Sequence, residues 1–306
     1  MCCYQFFLYF CRQKQFDLSM ARHFFARIIL ITQILIYPYV VFAADDSHGD
    51  CCKKDSAQLV LKLDAATQWI SEHLDSLAES YLSKNGNILD PDIVREELTT
   101  IGYNGLNVTD YILGSRQIDS LVLIKLLDRA EKIENKTIYF MMGCTAAGKS
   151  TALRHNPEIK AMVDKAGLVY DGAFISIPSF ETRLKMVQDR GFKATIVFVH
   201  NDPETGFTNM INRMIKTNRA MSHYYYVYSY PMFHGRIAYL QENHPDVELY
   251  CLDNSHNSGG VRVSIEEAKK WDYTMTQELS DKLYDIMMEY INSGKLTPEQ
   301  INALKN

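Results

Sequence analysis

The stretch that most limits what this chain can fold into is TIYFMMGCTAAGKST, Thr137 to Thr151. Gly143, four further residues, Gly148, Lys149 and Ser150 make the phosphate-loop pattern G-x-x-x-x-G-K-[ST]. Each residue type in it has a physical task. The two glycines allow backbone angles and a close approach that a Cβ would block. The backbone of Gly143, Cys144, Thr145, Ala146, Ala147, Gly148, Lys149, Ser150 and Thr151 then offers amides to phosphate oxygens as an anion nest. Lys149 is placed for the β- and γ-phosphates, and the Ser150 hydroxyl for one Mg²⁺ position. Upstream, Thr137–Met142 is a compact β-branched, aromatic and apolar run of the kind that forms a buried parallel strand. Downstream, KSTALRHN lacks Gly and Pro and can be helical until Pro157, with the helix from Thr151 turning its positive end to the phosphates. A ligand-free strand-to-helix turn is the alternative, but motif and context agree on a nucleoside triphosphate: ATP, with GTP as the second choice, together with Mg²⁺.

A strand–loop–helix start implies an α/β fold, and the rest of the chain supplies the alternation. Strands are predicted at Ala166–Gly172, Lys193–His200 and Val247–Asp253. Helices are predicted over SFETRLKMVQDRG with Gly191 as stop, over Pro203–Arg219 and over Met232–Pro245. Strands alternating with helices predict a three-layer sandwich with a mostly parallel sheet. Before it, residues 45–135 read as a helical segment. Leu59, Leu63, Ile70, Leu74, Leu77 and Leu82 keep helical spacing, KNGN at Lys84–Asn87 is a stop, Asp90 and Pro91 open a further helix as N-cap and N1, and Gln117–Glu134 is amphipathic. The core is expected at 136–260 and C-terminal helices at 261–306, where Thr297, Pro298 and Gln300 form a capping box. Residues 55–135 are either a packing extension of the core or a helical appendage that covers a substrate or binds a protein partner.

Residues 1–44 read as a leader. From Met20, an alternative start, Arg22 and Arg27 precede an apolar run to Val41 and a small-residue boundary at Ala43, the pattern of a secretory signal peptide, with a membrane anchor as the alternative. Export is at odds with a need for ATP unless the protein acts in another cytoplasm. Of the seven cysteines, Cys51 and Cys52 are adjacent, which suits neither a zinc site nor a mutual disulfide, and the set makes no disulfide framework. A net charge of −5 gives no basic face for broad nucleic-acid binding.

GCTAAGKST, VYDG, RGFKATIVFVH, NRMIKTNR and VELYCLDNS fall in the order seen in zeta toxin-like P-loop kinases, which this part of the chain, roughly Ile138 to Ser258, resembles. The resemblance implies a phosphotransferase that moves the γ-phosphoryl of a nucleotide to an acceptor hydroxyl, on a nucleotide sugar, a nucleoside or another molecule. It implies an arginine-bearing lid, here Arg213 and Arg219, acting on the transferring phosphoryl group, and an active-site position at Asp171. Asp171 ends a strand at the carboxyl edge of the sheet and is a candidate for Mg²⁺ or for activating a hydroxyl, against a mere turn cap with Gly172. Lys149, Asp171, Arg213 and Arg219 are thus the candidate catalytic residues, and Ser150 and Asp171 the candidate metal ligands. The sequence departs from the family in one respect. The interval ALRHNPEIKAMVDKA after the loop holds no strand bearing a base; Asp164 is its one Asp. A nucleotide-binding interaction protein without catalysis is the rival reading. Three weaker candidates remain: the tyrosines of Ser222–Tyr230, a stretch read as non-periodic, for stacking or for core; Asp253 and Asn254, near a nucleotide base; and His200 with Asp202, as a loop cap.

Overall fold

The strands are β1 (Ile88–Leu89), β2 (Thr137–Met142), β3 (Leu168–Asp171), β4 (Lys193–His200), β5 (Glu248–Asp253) and β6 (Val261–Val263). They form one sheet in the order β1-β3-β2-β4-β5-β6, parallel throughout except for the antiparallel β5–β6 pair. The computed structural model describes residues 66–257 and 259–305. The leader assigned to residues 1–44, Cys51 and Cys52, and the first part of the helical segment lie outside them. No described helix is long and apolar enough to cross a membrane.

The fold is the α/β sandwich with a mostly parallel sheet that the alternation predicts, and burial explains why. β2 and β4 lie at the sheet centre, and every residue from Ile138 to Met142 and from Ala194 to His200 is buried. Strands covered on both faces need continuous apolar runs rather than alternating ones. Phe140 packs edge-on against Phe174 and Phe180 and stacks near Tyr170, and each such ring contributes about 1.5–3 kcal/mol through burial.

The segment before the phosphate loop is mostly helical but not wholly so. Its helices at Leu74–Asn85 and Val108–Ala130 bury Tyr81, Leu82, Ile118, Val122, Leu126 and Leu127. Between them Ile88 and Leu89 pair with Val169 and Tyr170 as the edge strand β1. Two residues between a glycine turn and a proline are too few to show a periodicity. The segment is fastened to the core by a buried ion pair: Arg183 Nη2 donates to Asp119 Oδ2 at 3.0 Å and Arg183 Nε to the Tyr170 hydroxyl at 2.8 Å. Residues 66–135 are therefore part of the core packing.

Three local expectations change. The C-terminal region opens with β6 rather than a helix, and Gly235, at φ 67°, breaks the helix expected over Met232–Pro245 into a 3₁₀ turn at Tyr230–Phe233 and a helix at Arg236–Asn243. The tyrosine run is a helix, His223–Ser229, N-capped by Ser222, and not an irregular stretch. Tyr226 and Tyr230, one helical turn apart, are core; Tyr224, Tyr225 and Tyr228 are exposed.

Candidate active site

The phosphate loop is pressed against its neighbours. Gly143 and Gly148 adopt φ 142° and 95°, and a Cβ on them would run into the Val199 carbonyl oxygen and the Asn254 side-chain amide respectively. Asn254, buried after β5, donates from Nδ2 to the Ala147 carbonyl at 2.9 Å and accepts from Gly259 N at 3.0 Å. It braces the loop from beneath; Asp253 accepts from the Ser255 amide and hydroxyl. The following helix is Lys149–His155, starting two residues before the expected Thr151. Lys149 Nζ donates to the Gly143 and Cys144 carbonyls, each at 3.3 Å. Ser150 Oγ donates to Asp171 Oδ2 at 3.1 Å, which brings the two candidate metal ligands together. The Cys144 side chain faces the core, where burial pushes its thiol up to about 12; it contributes backbone to the loop and packing below it.

A cleft of about 810 Å³ opens over Thr145, Ala146, Lys149 and Ser150. Its facing wall holds residues that sequence reasoning missed. One step beyond the Leu89–Tyr170 pair, the register sets Asp90 alongside Asp171 at the carboxyl edge of the sheet, where α/β folds bind ligands. Tyr81 fixes it: the Tyr81 hydroxyl donates to Ile88 O at 3.1 Å and accepts from Asp90 N at 2.9 Å. Asp90 does cap Pro91–Val94, accepting from Asp92 N at 2.8 Å, and this is the part of its role that the sequence predicted. Burial, then the neighbouring Asp171 and Asp92 charges, push the Asp90 carboxyl up to about 7. Burial likewise raises Asp171, against the opposing pull of Lys149 and Ser150. Asp92 goes the other way. Burial works to raise it, but Arg95, Arg219 and Arg213 outweigh that and hold it at about 2. Two carboxylates separated by one residue are thus driven apart by their surroundings, which separates a proton acceptor from a permanent anion.

Both predicted arginines line this cleft. Arg219 Nη2 lies 2.9 Å from Asp92 Oδ2 and 3.5 Å from Asp90 Oδ2; Arg95 pairs with Asp92 from the other side. The Nε groups of Arg95, Arg213 and Arg219 are buried with no hydrogen-bond partner among the described residues, and buried guanidinium donors without partners are costly unless a ligand meets them. The Asn218–Ala220 turn that carries Arg219 is clamped by two distant segments, one before it and one after it in the chain. Ala220 N donates to Gly105 O at 3.2 Å. Gln300 Nε2 donates to Met214 O at 3.2 Å and to Asn218 Oδ1 at 2.8 Å, while the same side chain completes the predicted capping box with Thr297.

His200 and Asp202 stand apart from this chemistry. His200 stacks on Trp271, its Nδ1 lies 2.9 Å from the Tyr273 hydroxyl, and burial lowers it to about 4. Asp202 caps the helix Pro203–Thr217. Gly143, Ala147, Gly148 and Thr151 shape the loop and helix without lining the cleft, and Asp164 pairs with Lys160 on the surface.

No protein-family model matches this sequence, and no curated protein matches it. Among solved structures the chain is similar to a native AvrRxo1-ORF1:-ORF2 complex, at 10% identity over 61% of this chain and 82% of that one, with a TM-score of 0.37. It is also similar to AvrRxo1-ORF1:AvrRxo1-ORF2 with sulphate ions, at 13% identity over 69% and 87%, with a TM-score of 0.38. The chemistry of the cleft is read from its own residues.

Proposed function

We propose that the protein is a phosphotransferase that moves the γ-phosphoryl group of ATP, or less favourably GTP, to a hydroxyl group of a small acceptor. The observation that supports this most is the placement of Asp90. A buried carboxylate, free to take a proton near neutral pH, sits beside Asp171 in the cleft that Lys149, Arg213 and Arg219 also line. The acceptor oxygen attacks the γ-phosphorus and the bond from that phosphorus to the β,γ-bridging oxygen breaks. The hydroxyl proton passes to Asp90, and ADP leaves with the bond's electron pair. Lys149 and the loop amides hold the phosphates. Arg213 and Arg219 meet charge that spreads over the transferring group, where positioning and electrostatics supply most of the catalysis. The donor set fits Mg²⁺: a serine hydroxyl and a carboxylate already 3.1 Å apart, hard oxygen ligands of the type that hold this ion together with substrate phosphates. Ser150 and Asp171 are the residues that would hold it; when bound, it neutralises phosphate charge.

The Asp-bearing strand that the resemblance leads one to seek after the loop is supplied, on this reading, from before it. Asp90→Asn tests this. With a cell extract as acceptor source, ADP release should fall about 10²- to 10⁴-fold, the range for losing a general base, while calorimetric affinity for Mg-ATP stays within a few-fold. Wild-type turnover in Asp90→Asn removes Asp90 from the reaction; no ADP release by the wild-type protein with any extract removes the phosphotransferase.

A further inference from the structure

Arg213 and Arg219 both line the cleft, but they are held differently. Arg213 makes no ion pair among the described residues. Arg219 is anchored: its Nη2 donates to Asp92 Oδ2 at 2.9 Å, across 127 positions of chain. Asp92 is in turn gripped from its own turn, where Arg95 pairs with the other oxygen, Oδ1. The carboxylate is partly exposed, but Arg95 and Arg219 keep only 12% and 21% of their side chains exposed. Two largely buried guanidiniums on one carboxylate make a network, unlike an isolated surface pair, which contributes little. The same residue also fixes its neighbour in the cleft, since Asp92 N donates to Asp90 Oδ1 at 2.8 Å. Asp92 thus ties the proposed proton acceptor to an arginine brought in from a distant turn.

We propose that Asp92 is a positioning residue, which acts through Arg219 by setting its guanidinium where the phosphoryl group is transferred, in register with Asp90. This rests on the phosphotransferase reading and deepens it. A guanidinium is planar and carries its donors in a fixed fork, so holding one nitrogen restricts where the others point. The contact with Asp92 uses Nη2, while Nε of Arg219 is buried without a partner and is left for a ligand oxygen. A cation already in place when charge develops needs no reorganisation at that moment. Arg95 gives the arrangement a second property. In an isolated Asp–Arg pair the anchor would cancel the charge that it positions. Here two guanidiniums share one carboxylate, so the group remains cationic.

The test follows ADP release from Mg-ATP by the full chain, with a protein-free cell extract as acceptor source, beside calorimetric affinity for Mg-ATP. Asp92→Asn keeps the size of the side chain and removes its charge. It should lower kcat by roughly 10²-fold, the cost of misplacing a group by about 1 Å, with affinity within a few-fold of wild type. Asp92→Glu keeps the charge one methylene further out and should lose only about tenfold. The deciding measurement is a double-mutant cycle. In an Arg219→Ala background no guanidinium is left to place, and Asp92→Asn should then change kcat by less than about threefold. A loss of packing would lower the rate equally in both backgrounds. If Asp92→Asn does not fold, Asp92→Glu in the two backgrounds carries the same test. Wild-type kcat in both Asp92 variants, or equal losses with and without Arg219, overturns the proposal. No ADP release by the wild-type protein is a different failure: it removes the phosphotransferase reading, and this role with it.

Discussion

The two walls of the cleft are built in opposite ways. The phosphate wall is one contiguous segment, Gly143 to Ser150, held from beneath by Val199 and Asn254. The facing wall gathers Asp90 and Asp92, Arg213 and Arg219, and the helix Pro298–Lys305, with ion pairs and a glutamine holding them together. A contiguous loop makes its binding groups by local backbone geometry. An assembled wall makes its groups only once the tertiary fold is complete. On the proposed function this separates the two jobs: holding phosphates belongs to the first wall and chemistry to the second. Changes in each wall should therefore leave different kinetic signatures.

The largest expected effect lies in the facing wall. Arg219→Ala or Arg213→Ala should lower turnover by roughly 10³-fold or more, as for other arginines that act on a transferring phosphoryl group. Mg-ATP affinity should change little, because interactions made only in the transition state lower kcat without weakening binding. A calorimetric affinity that drops as far as turnover does would show that the walls act as one unit. In the phosphate wall, Lys149→Ala should do the reverse. Loss of a charge-assisted contact, about 1.5–3 kcal/mol, weakens Mg-ATP by roughly ten- to a hundredfold. Equal affinity of the variant and wild type would break the assignment of the loop.

The contrast between the walls is also the contrast between what the sequence discloses and what it hides. The sheet was legible because β2 and β4 are long unbroken apolar runs, and the phosphate loop because its spacing is fixed by backbone geometry. Arg213 and Arg219 were legible through the resemblance, and both line the cleft. Asp90 was read only as a helix cap, since a strand of two residues leaves no pattern; what signal there was lay in a base missing from Ala152–Ala166 and an Asp-Pro-Asp following a turn. Arg95 gave no signal, and Asp92 none beyond its place in that Asp-Pro-Asp, because what matters in them is a charge balance with Arg219, a residue far along the chain. Gln300 was found for its cap but not for its tie to Met214 and Asn218, a contact between the C-terminal helix and the end of the helix Pro203–Thr217.

That tie gives a smaller and sharper test. Gln300→Glu keeps the capping box, because Glu serves at N3 as well as Gln. It replaces the amide donor with a carboxylate facing the Met214 carbonyl. Losing two bonds worth about 1 kcal/mol each and setting an acceptor against an acceptor should lower kcat by at least roughly tenfold, with the KM for ATP held. Rate and stability falling together in Gln300→Glu and Gln300→Ala alike would reduce Gln300 to ordinary packing.

The smallest effect concerns stability and uses the proton that Asp90 holds. Its folded carboxyl stands near 7 against an ordinary 3.8, with burial as the main cause. A carboxyl raised in the folded state favours folding when protonated. That contribution is fully present below about pH 4 and is lost as pH rises through about 7. Asn in its place has no proton to lose and still accepts at the N-cap. The difference in Tm between Asp90→Asn and wild type, measured in EDTA, should therefore be small at pH 4 and grow in favour of the variant up to pH 8. At the most it corresponds to on the order of 4 kcal/mol, and loss of the Arg219 pairing reduces it. Comparing the two proteins at each pH cancels the other titrating groups they share. If the difference is flat from pH 4 to 8, Asp90 ionises as an ordinary surface aspartate does, and the facing wall has then lost its proton acceptor while the arginine assignment stands.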